Sequence, residues 1–165
     1  MNRTAIRAIG AVVAILVVLA DQASKAWIRD LVGSHEPPFI RVTGYFNLVQ
    51  VWNTGVSFGL FREETTLRSL ILIGVAAAVM LWLGIWLWRG RSRLAGAALG
   101  GVIGGAFGNI LDRWQHGAVY DFLDFHAAGW HWPAFNLADS AIVVGVALLL
   151  LDSYRPRRTE TLPGA

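Results

Sequence analysis

Four long apolar runs alternate with polar stretches along the chain, at about 8–27, 70–88, 94–111 and 135–151. Each is close to the ~20 residues that cross ~30 Å of hydrocarbon at ~1.5 Å per residue, so the pattern predicts four membrane-spanning helices. The intervening stretches, 28–69 and 112–134, mix apolar, aromatic and charged residues. Within the first, "PFIRVTGYFNLVQVWNTG" is rich in Ile, Val, Tyr, Phe and Trp with glycine breaks, which predicts short strands. The expected fold is a membrane all-α bundle of four transmembrane helices with a small β-sheet on its outer surface, one domain over 1–165. The first run has features of a cleaved leader: Arg3 and Arg7, an apolar core, then Val18 and Ala20. However, Asp21, Gln22, Ser24 and Lys25 continue into Ala26-Trp27-Ile28 as a helix leaving a membrane does, so it is read as a retained span.

Composition supports the membrane reading. Hydrophobic residues make up 55% of the chain, charged residues only 15%, and mean hydropathy is +0.51; a soluble domain carries nearer a quarter charged residues. The chain has no cysteine, which excludes disulfides, thiolate metal sites and a lipidation cysteine. Net charge is +3, and eight of the fourteen basic residues fall into three clusters: Arg3 and Arg7; Arg89, Arg91 and Arg93; Arg155, Arg157 and Arg158. Four spans put all three clusters on one side, which the positive-inside rule makes cytoplasmic, together with both termini and the polar tail 155–165. The outer stretches offset their basic residues with Asp30, Glu36, Glu63, Glu64, Asp121 and Asp124. Tyr45, Trp52, Trp27, Trp114, Trp130 and Trp132 fall near the outer interface, where aromatic rings are favoured. No basic face is interleaved with stacking aromatics, so a nucleic-acid partner is not expected.

The third run carries Gly96, Gly100, Gly104 and Gly108 at a spacing of four, with Gly101 and Gly105 beside them. Small residues at that spacing let helices approach closely, within one bundle or between two copies. Continued outward, the first rail reaches Asp112, and the second reaches Asn109 and Arg113. In the fourth run Asn136 and Asp139 are three apart on one helical face, with Asp139 ~6 Å along the axis from Phe135. Asp21 stands at the same end of the first run, with Lys25 one turn on. Polar groups from three helices therefore gather at the outer end, either as a structural cluster satisfied by pairs such as Asp112–Arg113 and Asp21–Lys25 or as a site.

Asp121 and Asp139 differ from the others, because no Lys or Arg lies within four positions of either. If they meet in a site of low dielectric they cannot both ionise, and a pair sharing one proton can activate water while donating to a carbonyl oxygen. Their spacing permits a meeting without requiring one.

"DQASK" at 21–25, "NTGVSFG" at 53–59, "GNILDR" at 108–113, "YDF" at 120–122 and "FNLAD" at 135–139 occur in the order seen in lipoprotein signal peptidase, also called signal peptidase II, and the chain resembles that family over nearly its whole length. The resemblance implies a bacterial inner-membrane aspartic endopeptidase that removes signal peptides from prolipoproteins just before a diacylglyceryl-modified cysteine. Asp121 and Asp139 map onto its dyad. Asp21, Asn53, Asn109, Asp112, Arg113 and Asn136 map onto its supporting polar residues, with Lys25 and Gly55 inside the same motifs. It implies diacylglyceryl-modified prolipoproteins and membrane lipids as partners, an active site near the outer, periplasmic face, and no metal or cofactor. A single complete bundle suits a monomer. The asparagine loop departs from the family's frequent N-x-G-A-A-F, since Val56 and Ser57 replace the two alanines.

Three rival classes have a basis in the residues. Gly55-Val56-Ser57-Phe58-Gly59 matches the serine nucleophile elbow, but no strand–turn–helix pattern of an α/β sheet accompanies it. His116, His126 and His131 suggest a metal hydrolase, though their spacings match no metal-binding helix. Intramembrane carboxylates also occur in ion transporters; here the polar groups gather at one end, and no internal repeat is present.

Overall fold

The computed structural model describes residues 2–55, 65–90 and 92–154. Its elements run α1 (Arg3–Gly33), β1 (Phe39–Arg41), β2 (Phe46–Asn53), α2 (Thr65–Trp88), α3 (Arg93–His116), β3 (Val119–Ala127), β4 (Trp130–His131) and α4 (Leu137–Ser153). Three helices, α1, α2 and α3, are long and apolar enough to cross a membrane. The fourth is shorter, 17 residues, or ~26 Å at ~1.5 Å per residue.

Helix α3 is the central element and packs on the other three helices. Its glycines divide between two neighbours. A Cβ on Gly96 would strike the Ile6 carbonyl of α1 at 2.8 Å, one on Gly100 would overlap the Gly10 carbonyl, and one on Gly104 would meet the Ala14 carbonyl at 2.6 Å. Gly105 faces α4 instead, where a Cβ would overlap the Ala138 carbonyl. The rails are therefore used inside one chain. Helix α2 presents Leu70, Ile71, Val75, Leu81, Trp82 and Ile85 outward, the apolar surface a lipid-facing helix requires.

One end of the bundle is closed by local hydrogen bonds. Arg7 Nε and Nη2 donate to the Trp88 carbonyl at 3.1 and 2.8 Å, and the guanidinium lies over the Trp88 ring. Ser92 caps α3 by accepting from Ala95 N–H, and its hydroxyl donates to Asp152 at 2.7 Å. We label this the inner end and the opposite end, which the sheet covers, the outer end.

The sheet has four antiparallel strands in the order β1-β2-β3-β4. Strands were expected from the first outer stretch alone; β3 and β4 come from the second. Val119 to Phe122 are all buried, so β3 lacks the period-two alternation that marks a half-exposed strand. Helix α1 continues beyond Trp27 because Ile28 and Val32, one turn apart, pack under Tyr120 and Phe122. Strand β3 is also tied to the lead-in of α4: Leu123 N–H donates to the Phe135 carbonyl at 2.9 Å, and Phe135 N–H returns the bond at 3.2 Å. That pairing brings Asp121 beside Asn136.

Candidate active site

Residue Asn136 organises the site. It is the N-cap of α4, and its Oδ1 accepts from Asp139 N–H at 2.9 Å while Asp139 Oδ2 accepts from Asn136 N–H at 3.3 Å. This reciprocal box satisfies amides that a helix start would otherwise leave bare. Asp139 is thus the third residue of the helix, ~3 Å along its axis from Leu137, shallower than the ~6 Å expected from a helix starting at Phe135. Asn136 has no solvent exposure, and its Nδ2 reaches across to Asp121 Oδ1 at 2.7 Å. One side-chain amide therefore holds Asp139 by its acceptor and Asp121 by its donor.

Each carboxylate accepts a second amide. Asn53 Nδ2, at the end of β2, donates to Asp121 Oδ2 at 2.9 Å, and Asn109 Nδ2 on α3 donates to Asp139 Oδ1 at 2.8 Å. Asn53 is held in turn by its Oδ1, which accepts from Gly55 N–H at 2.8 Å. Gly55 has φ +88°, and a Cβ there would strike Leu72 at 2.6 Å, so both conformation and space call for glycine. Asp121 is 1% exposed. Burial pushes its carboxyl up to about 6; Asp139 adds to the rise, and the Asn53 and Asn136 hydrogen bonds oppose it.

Arg113 Nη1 donates to the Asn109 carbonyl at 3.3 Å, and its guanidinium lies within electrostatic reach of Asp139, Asp121 and Asp112. Its Nε is buried with no hydrogen-bond partner among the described residues. Asp112 does not turn to the adjacent Arg113. It pairs with Lys25 at 2.9 Å, and Lys25 pairs with Asp21 at 2.8 Å. Neighbours in sequence on a helix point about 100° apart, so Asp112 meets α1 while Arg113 is carried round towards Asp139 and Asp121.

All ten residues expected at the site lie at the outer end of the bundle: Asp121, Asp139, Asp21, Lys25, Asn53, Gly55, Asn109, Asp112, Arg113 and Asn136. Gln22 was not singled out, yet its Nε2 donates to Asp112 Oδ1 at 3.0 Å and to Asp21 Oδ2 at 3.1 Å. An amide inside an apolar run was the available signal. The three histidines do not gather: His116 lies against Trp52, while His126 and His131 stack on each other in the sheet. Ser57 lies outside the described residues.

This is the fold of a membrane enzyme: the chain is similar to solved bacterial membrane enzymes with TM-scores of 0.71 (25% identity, 93% of this chain and 94% of that one) and 0.74 (24% identity, 91% and 94%). A model of signal peptidase (SPase) II matches residues 13–155. The chain belongs to the signal peptidase II family, whose members are aspartic peptidases. It is 47% identical over 148 residues to the lipoprotein signal peptidase of Methylorubrum extorquens (strain PA1), covering 87% of this chain and 85% of that protein. It is 45% identical over 149 residues to that of Nitrobacter hamburgensis (strain DSM 10229 / NCIMB 13809 / X14), covering 88% and 91%.

Proposed function

We propose that this enzyme removes the signal peptide from diacylglyceryl-modified prolipoproteins by cleaving just before the lipidated cysteine, with Asp121 and Asp139 as a metal-free dyad and water as nucleophile. The observation that carries this reading is the Asn136 amide bonded to both aspartates. Asp121, pushed up to about 6, is the proton-bearing partner. Asp139 takes a proton from water as the water oxygen attacks the scissile carbonyl carbon. Asp121 gives its proton to the carbonyl oxygen, producing a neutral tetrahedral diol. Collapse returns a diol proton to Asp121, the C–N bond breaks, and Asp139 passes its proton to the departing cysteine nitrogen. Both carboxyls end as they began. The Arg113 Nε and the amides of Asn53 and Asn109 supply donors for a peptide backbone that has left water, whereas Asn136, fully buried with its amide already donating to Asp121, Asn109 and Tyr120, holds the carboxylates in place.

The placement of the site suits this substrate. A lipidated cysteine keeps its acyl chains in the bilayer, so its peptide bond comes to rest near the interface, and Asp139 stands in the first turn of α4. We read α4 as a fourth span. Arg3, Arg7, Arg89 and Arg93 cluster at the end away from the sheet, which supports cytoplasmic termini and a dyad near the outer face of the inner membrane. With both glycine rails occupied by α1 and α4, the enzyme acts as a monomer. Asp121→Asn and Asp139→Asn, assayed on a diacylglyceryl-modified prolipoprotein at matched folding, should each lower cleavage by about 10³-fold or more while substrate still binds. Normal cleavage by either variant would refute the dyad.

A further inference from the structure

Both dyad residues follow directly after a peptide N–H that is held by a buried carboxylate. Ala138 N–H, one position before Asp139, donates to Asp21 Oδ1 at 3.0 Å. Tyr120 N–H, one position before Asp121, donates to Asp112 Oδ2 at 3.1 Å. Asp21 belongs to α1 and Asp112 to α3, so the two clamps are built by different helices onto different elements. They share one cation. Lys25 Nζ lies 2.8 Å from Asp21 Oδ2 and 2.9 Å from Asp112 Oδ2, and it donates to Asn109 Oδ1 at 3.3 Å. Asn109 in turn donates to Asp139. An ammonium has three protons, and here three acceptors face it, each leading towards the dyad.

We propose that Lys25 is a positioning residue for cleavage: without touching substrate, its ammonium joins the two backbone clamps and so sets the separation of Asp121 and Asp139. The proposal rests on the dyad reading above. A cation retained only for folding has no reason to connect the two peptide N–H groups that immediately precede the reacting carboxylates. Its charge also reaches Asp121, favouring the ionised form there. The other charged groups that act on Asp121 are Asp139 from α4 and Arg113 from α3, while Asp21 and Asp112 pair with Lys25 itself.

Three full-length variants test the idea: Lys25→Met, Lys25→Arg, and the double change Lys25→Met/Asp112→Asn. The double variant keeps the net charge of the Asp21–Lys25–Asp112 cluster and an acceptor for Tyr120 N–H, so it decides the matter if Lys25→Met fails to fold. In folded Lys25→Met and in the double variant, kcat should fall about 30- to 100-fold while KM stays within about threefold. In Lys25→Met the alkaline limb of the pH profile should also move upward, and Lys25→Arg should recover part of the lost kcat. A folded double variant with kcat within about threefold of wild type would overturn the proposal, leaving Lys25 a folding residue. Failure of the dyad reading is separable, because Asp139→Asn would then cleave normally whatever Lys25 does.

Discussion

The two ends of the bundle carry caps of the same construction with different outcomes. At the inner end Ser92 accepts from Ala95 N–H at 2.8 Å and donates to the Asp152 carboxylate at 2.7 Å. At the outer end Asn136 accepts from Asp139 N–H at 2.9 Å and donates to the Asp121 carboxylate at 2.7 Å. Each residue starts a helix and ties it to a carboxylate on another element. The difference lies in what surrounds the carboxylate. Asp152 sits half-buried at the end of a helix, whereas Asp121 is enclosed with a second carboxylate and an arginine in reach. A cap is a local device for satisfying amides; enclosure and a second charge are what equip one of these two caps for the proposed chemistry.

The comparison breaks first at Asn136. Asn136→Ala removes a helix cap, about 1 kcal/mol, and the donor shared with Asp121. Cleavage should drop about 10²-fold or more, far beyond what that stability loss explains, as read by kcat at matched folded fraction. A fall in activity that merely follows unfolding would make the outer cap equivalent to the inner one.

Acidity sharpens the same contrast. Asp121 holds its proton up to about pH 6, well above an unfolded aspartate at 3.8. Between those values the native state binds more protons than the unfolded chain, so this residue makes the protein less stable as pH rises through that window. Above about 6 the free enzyme loses the proton that the proposed dyad needs, and kcat/KM should fall about tenfold per pH unit. A flat kcat/KM between pH 5 and 8, measured on a diacylglyceryl-modified substrate, would mean that Asp121 is not the proton donor.

The glycine rails test how far the apolar half supports the polar half. Gly105 allows the Ala138 carbonyl against α3, one residue from Asp139, while at Gly101 an added Cβ would meet the Ala141 carbonyl at an ordinary 3.5 Å. Gly105→Val should therefore cost about 1–3 kcal/mol through overpacking and lower cleavage with it, whereas Gly101→Ala should change neither by much. Thermal unfolding in detergent micelles and a cleavage assay distinguish the two positions.

Much of this was legible in the sequence, for reasons that differ by region. The apolar runs are set by the thickness of a bilayer, so they mark the helices apart from their ends. The glycine spacing in α3 gave the faces on which Asn109, Asp112 and Arg113 lie, because helical geometry carries a face outward without change. Three things were hidden. The first half of β3, Val119 to Phe122, is buried on both sides and shows no alternation, so half of the sheet is not legible in the sequence. The start of α4 depended on Asn136 acting as a cap, which moved Asp139 two residues, ~3 Å, nearer the start of the helix. Asp112 was open to pairing with Arg113 beside it; that Lys25 takes it instead depends on the approach of α1 to α3, which residue spacing within one helix does not contain.

The smallest effect belongs to the inner cap. Ser92→Ala removes the acceptor for Ala95 N–H and the donor to Asp152, and each is replaceable by water at a half-buried surface. Loss of such a cap costs about 1 kcal/mol, comparable to the cap term at Asn136. Among the described residues, nothing at that end reaches Asp121 or Asp139 except through the length of α3, whose outer half is held independently by Lys25 and by the glycine contacts with α1. Cleavage by folded Ser92→Ala should therefore match wild type within about twofold, since sites this far apart with no shared partner act independently. A clear loss of kcat in that variant would show that the inner cap sets the position of α3 at the site, and the two ends would have to be treated as one mechanical unit.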